Sequence, residues 1–158
     1  MAEAEAYNKF SAQCAFAEYC SSDIRKKMQR MEMDEDVMER VIRHLTKEGF
    51  IDEARYATAF VRDKLHHNRW GRVRIEQELR MRGISQHLID EAMLEIDEDD
   101  ARKTLLHLLT KKLPSVKGRN AYEIKAKLMR FAMSRGFDMD LIRSIADEVV
   151  SGADGIDN

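Results

Sequence analysis

Residues 50–84, FIDEARYATAFVRDKLHHNRWGRVRIEQELRMRGI, decide how the rest of the chain is read. Ala54, Ala57, Phe60, Val61 and Leu65 recur at helical spacing and form one apolar stripe. After the break at His66-His67-Asn68 comes Trp70-Gly71, where glycine opens backbone angles that other residues resist. A second, arginine-rich helix follows, with Ile75 and Leu79 turned inward and Gly83 as its stop. The stretch therefore reads as helix, turn, basic helix.

Working outward, the same grammar recurs. Helices are expected at 7–20 and 22–31, then a third capped by Asp34 with Val37, Met38, Val41, Ile42 and Leu45 as its stripe and Gly49 as its stop. Asp52 caps the next, Gly71 to Arg82 makes the basic helix, and Ser85 caps another that buries Leu88, Ile89, Ala92, Met93 and Ile96. The acidic run Asp97 to Asp100 suits a helix start, where carboxylates meet the positive end of the dipole. Leu105, Leu108 and Leu109 mark the seventh helix, which Pro114 ends. An eighth is expected at 121–135 and a ninth from an Asp138 cap to about Val150, leaving 151–158 as a flexible tail.

Aligned on their stops, these nine helices form three groups of three. A shift of 53 residues lays Ile75, Leu79, Gly83, Leu88, Ile89 and Ile96 onto Leu128, Ala132, Gly136, Leu141, Ile142 and Val149. A shift of 51 in the other direction reaches Ile24, Met28, Glu32, Val37, Met38 and Leu45, with Glu32 standing where the other groups have glycine. Each group also repeats an apolar residue before its cap (Met33, Ile84, Phe137) and an apolar partner beyond it (Met38, Ile89, Ile142), the pattern of a hydrophobic staple. The expected fold is all-α, a tandem array of three three-helix repeats at 1–49, 50–97 and 98–150, elongated and with room for curvature, because units this small are secure only when stacked.

Composition agrees with helices: 158 residues, 44% hydrophobic and 35% charged, with one proline and seven glycines. No apolar run approaches the ~20 residues that span a bilayer, and the first residues lack a signal peptide's pattern, so a cytoplasmic chain is expected. Cys14 and Cys20 are placed six apart on one helix, on nearly opposite faces, and are read as reduced thiols. The net charge of -2 conceals a sharp asymmetry, since residues 102–135 hold ten basic side chains against Glu123 alone.

No nucleophile motif, phosphate loop or zinc-protease motif is present. The five histidines are scattered, and the acidic runs are better explained as helix starts than as paired carboxylates, so no catalytic residue, cofactor or metal is expected. What remains is the basic set. Arg72 and Arg74 map through the 53-residue shift onto Lys125 and Lys127, while the first repeat has Ser21 and Asp23 there. With Arg62, Lys64, Arg69, Lys117, Arg119 and Arg130 they form a candidate strip complementary to phosphates or to an acidic protein groove. Tyr56, Phe60 and Trp70 lie close by in sequence, and their positions favour core packing over base stacking.

These residues resemble a known family. Phe50-Ile51-Asp52-Glu53-Ala54-Arg55-Tyr56-Ala57, then Phe60-Val61-Arg62, Trp70-Gly71, Arg74-Ile75, Glu78-Leu79 and Arg82-Gly83-Ile84 are similar to the signature of the bacterial RecX regulatory proteins. The resemblance implies tandem three-helix repeats and no enzymatic activity. It also implies binding to the RecA recombinase filament on DNA and inhibition of its ATP hydrolysis, strand exchange and co-protease activities, with single- or double-stranded DNA as a further, direct partner; a monomer with no membrane partner is expected. On that reading Arg62, Lys64, Arg69, Arg72, Arg74, Lys125, Lys127 and Arg130 are the residues expected to contact filament or DNA. The alternative is a helical nucleic-acid-binding protein that acts on DNA without RecA.

Overall fold

The computed structural model describes residues 1–156, and side chains through Gly152. Among the described residues the chain forms nine α-helices and one turn of 3-10 helix, with no strand. In chain order they are α1 (Glu3–Phe16), α2 (Ser21–Arg30), α3 (Glu35–Lys47), α4 (Glu53–His66), α5 (Arg72–Met81), α6 (Gln86–Met93), α7 (Glu98–Lys112), the 3-10 turn Leu113–Ser115, α8 (Ala121–Ser134) and α9 (Met139–Ile156).

The helix ends follow from local chemistry. Asp34 and Asp97 accept hydrogen bonds from the N–H groups of Asp36 and Asp99, Asp52 accepts from Arg55 N–H at 3.0 Å, and Asn120 accepts from Glu123 N–H at 2.9 Å. The chain reverses after α3, α5 and α8 through Gly49, Gly83 and Gly136, whose φ angles are 80°, 76° and 85°. Glu32, the residue out of pattern, takes the same left-handed turn with φ 54°. A side chain there costs on the order of 1 kcal/mol. Glu32→Gly is therefore expected to raise stability by about 0.5–1 kcal/mol in a urea melt, the unfolded-state entropy of glycine offsetting part of the relieved strain.

Two expectations need correction. α1 ends at Phe16, not near Cys20, because Ala17 turns extended and Cys20 instead precedes α2, where its N–H donates to Asp23 Oδ2 at 3.3 Å. Cys14 and Cys20 thus do not share a helix; both are free, and burial raises both thiol pKa values, so each holds its proton. At the other end α9 continues beyond Val150 to Ile156, so 151–156 are helical, while Asp157 and Asn158 lie outside the described residues.

The chain divides into two compact units, Met1–Phe60 with Glu78–Ala92, and Val61–Gln77 with Met93–Asn158. In the first, α1 and α2 pack on α3. Its core holds Phe10, Ile24, Met28, Met38, Val41 and Leu45. In the second, α7, α8 and α9 pack on one another around Leu105, Leu109, Leu128, Ala132, Ile142 and Ile145, three of which (Leu128, Ala132 and Ile142) were read from the repeat.

One contact recurs in both units. In the second unit the first turn of α5 meets the end of α8: Gly71 N–H donates to the Arg135 carbonyl at 2.7 Å, and Val73 N–H donates to that of Gly136 at 2.9 Å. In the first, Ser22 Oγ at the start of α2 donates to the Arg82 carbonyl at the end of α5, at 2.8 Å. Ser22 is the 51-residue counterpart of Val73, and Arg82 the 53-residue counterpart of Arg135. In each case the positive end of one helix meets the carbonyls at the negative end of another, which satisfies donors and acceptors that a helix cannot pair internally.

Candidate functional site

All eight cations expected to make contacts fall in the second unit. Folding sorts them into different roles. Lys64 and Arg74 converge on Trp70, with Lys64 Nζ 5.1 Å and Arg74 Cζ 4.0 Å from the ring centroid. Local backbone builds this cluster: Arg69 takes φ 57°, which folds the chain back so that Trp70 N–H donates to the Lys64 carbonyl at 3.0 Å. The next residue, Gly71, is buried against the backbone of Gly136 and Phe137. Trp70 is thus half-buried with cations over its ring, not a core residue, whereas Tyr56 and Phe60 are 8% exposed and pack as expected. Burial pushes the Tyr56 hydroxyl pKa well up, so it stays protonated.

Arg72 faces elsewhere. It lines a cleft of about 720 Å³ whose walls also carry Glu98, Asp99, Asp138 and Asp140, with Leu65 and Phe137 among its apolar residues. Arg102 lines the same cleft. Arg62 pairs with Glu95 at 2.8 Å, Lys125 pairs with Asp147, and Lys127 donates to the Lys117 carbonyl. Arg119 pairs with Glu123, the single acid of the basic segment, and holds that carboxyl below its usual pKa through hydrogen bonds. Arg130 is exposed on α8.

The equivalence of Arg72 and Arg74 with Lys125 and Lys127 is therefore one of sequence register and not of surroundings. α8 begins one turn earlier than the shift from α5 implies, at Ala121 and not Lys125, and this places the two lysines inside the helix. The shift alone could not show the partners Asp147 and Glu95, which come from distant segments. Two other half-buried contacts escaped the sequence reading. Arg82 stacks over Phe60 at 4.8 Å and pairs with Glu78 at 2.7 Å, while Arg55 reaches Glu18 at 2.6 Å and the Gly49 carbonyl at 3.1 Å. Both are signature arginines that hold the first unit together.

Among the described residues, no group of three or more His, Cys, Asp and Glu side chains is placed to hold a metal. Nor is any helix long and apolar enough to cross a membrane. His44 stacks on Tyr7 at 3.9 Å, and His67 and His87 contact Asp63 and Glu91 one turn away on their own helices.

Three-helix groups without a strand among the described residues make the chain an all-α protein of the helical-repeat class. Residues 52–93 match the model of the second three-helix domain of RecX, and residues 98–145 that of the third. The chain belongs to the RecX family of regulatory proteins. It is 32% identical over 130 residues to the regulatory protein RecX of Clostridium botulinum Eklund 17B, covering 81% of this chain and 60% of that one. The RecX of Prosthecochloris aestuarii is 27% identical over 147 residues, covering 93% and 95%. Against several clostridial relatives this chain spans about 60% of their length. Two solved structures share the fold: a crystal structure of regulatory protein RecX, with TM-score 0.84, 23% identity and coverage of 92% and 73%, and that of RecX from Lactobacillus salivarius, with 0.80, 18%, 93% and 96%.

Proposed function

We propose that this protein is a non-enzymatic regulator of recombination and DNA repair that binds the RecA filament on DNA and inhibits its ATP hydrolysis, strand exchange and co-protease activities. The observation that carries the reading is the match of two consecutive three-helix domains to a family of regulatory proteins. The basic set supports it. Arg62, Lys64, Arg69, Arg72, Arg74, Lys125, Lys127 and Arg130 share one unit and give a filament of protein and DNA many weak contacts, whose combined effect exceeds any one of them. It acts as a cytoplasmic monomer, and by occupying successive subunits it opposes the rearrangements that hydrolysis and strand exchange require.

The test is DNA-dependent ATP hydrolysis by the cognate RecA, with and without this protein. Stoichiometric protein is expected to slow hydrolysis several-fold, and changing Arg72 and Arg74 together to alanine is expected to restore about half or more of the lost rate. An unchanged rate with wild-type protein would overturn the reading. Inhibition that scales only with the DNA sequestered would favour a DNA-binding protein acting without RecA.

A further inference from the structure

We propose that the outer face of α8 is a docking surface for an acidic, amphipathic helix of a protein partner, with Tyr122 and Met133 as its apolar anchors and Arg130 beside them. The proposal rests on the reading of the basic set as a contact surface and deepens it, since it assigns the cations of α8 to protein and not to phosphate.

Two large apolar side chains of α8 stand in solvent: Tyr122 is 80% exposed and Met133 52% exposed. They lie eleven residues apart, about three helical turns or ~16 Å, which puts them on one line of the helix. Ala126 and Met129 continue that line between them, half-buried, and Met129 also packs on the core. The repeat does not require this stripe. The 53-residue counterparts of Tyr122, Met129 and Met133 are Arg69, Glu76 and Arg80, and the first repeat has Glu18, Arg25 and Gln29 there. Three-helix packing therefore proceeds with polar residues at these positions, and the apolar line is particular to the third repeat.

The chemistry of the occupant follows from what surrounds the line. Residues 102–135 hold ten basic side chains against Glu123, and Arg119 pairs with that carboxylate at 2.7 Å. Arg130 is exposed on one flank of the stripe, while Lys125, paired with Asp147, marks the other. A partner that covers the stripe must bring carboxylates on either side of an apolar ridge. An amphipathic helix does so, with apolar residues at i, i+4, i+7 and i+11. Tyr, Met and Arg are also the side chains enriched at the centres of protein interfaces. DNA would leave the methionines without a partner, because phosphates engage only the cations. A bilayer is a poorer match, since Ile124, Leu128 and Phe131, the apolar bulk of α8, pack on the core of the unit.

The experiment titrates labelled full chain with cognate RecA filaments assembled on oligothymidylate, with bare oligothymidylate as the parallel arm and circular dichroism confirming the fold of each variant. Y122S/M133S is expected to bind filaments about tenfold more weakly or worse, yet to stay within about twofold of wild type on bare DNA. R130E should bind filaments roughly three- to tenfold more weakly, with a shallower salt dependence. F16S, which removes an apolar side chain 93% exposed outside the stripe, is expected to match wild type. A photo-cross-linker at position 122 should join an Asp- and Glu-rich segment of the recombinase. Wild-type filament affinity in Y122S/M133S, an equal loss on bare DNA or in F16S, or cross-links to DNA alone would each overturn the docking surface and leave the filament reading standing. No wild-type affinity for filaments would overturn the filament reading, and this surface with it.

Discussion

Gly136→Ala is expected to destabilise the second unit by about 3 kcal/mol or more, as two costs that glycine avoids fall on one residue. Its φ of 85° places any side chain in the left-handed region, at about 1–2 kcal/mol. The added methyl group would also meet the Arg74 backbone, at 2.6 Å from N and 2.9 Å from Cα, and backbone at a helix start cannot step aside as a side-chain tip can. Relief requires α5 to move off α8, which loses the hydrogen bonds from Gly71 and Val73 to the Arg135 and Gly136 carbonyls. Gly83→Ala is the internal control: its φ is 76°, but nothing lies within 4 Å of the new methyl, so only the backbone cost of about 1–2 kcal/mol applies. Urea unfolding of both variants measures the difference. Equal losses would show that the close approach of α5 and α8 contributes nothing.

Phe10→Ala is expected to cost about 3–5 kcal/mol and to release α1 from the first unit. Phe10 is fully buried, and Ala6 is the only other buried residue of that helix. The rest of its attachment is partly buried or at the surface: Tyr7 and Cys14 pack against the same core, Tyr7 also stacks on His44, and Glu3 pairs with Arg40 at 2.9 Å. Exposed pairs of this kind contribute at most about 1 kcal/mol each. With its largest anchor gone, only Ala6, Tyr7 and Cys14 tie α1 to the core, and at 14 residues an isolated helix is marginal. Hydrogen exchange should show loss of protection across α1 while α7, α8 and α9 keep theirs. Protection of α1 that survives the substitution would locate its attachment elsewhere.

Much of the fold is legible in the residues because it depends on short-range rules. Apolar stripes at helical spacing, Asp or Ser caps at several starts and the glycine stops after α3, α5 and α8 placed most of the helices without reference to any neighbour. The repeat then paired Leu79 with Ala132 and Ile89 with Ile142, and all four are buried. The misplaced end of α1 has the same origin. Its sequence carries no Val, Ile, Leu or Met to mark a stripe, and the break at Ala17 depends on Cys20 opening α2, which periodicity does not show.

The candidate site was less legible. Sequence supplies the cations but not their counter-charges. Arg62 meets Glu95 from 33 residues away, and Lys125 is tied to Asp147 on the following helix. Trp70 looked like core from its position, and only the turn at Arg69 and the packing of Gly71 bring its ring under Arg74.

The amino-acid sequence by itself thus determined the helices, their grouping into repeats and the family signature, because caps, stops and stripes act within a few residues of the chain. Tertiary structure alone decided which cations are neutralised and which gather on Trp70, and why Gly71 and Gly136 have no side chain. Those outcomes depend on backbone approach and charge pairing between segments far apart in sequence, and no local pattern encodes such distances.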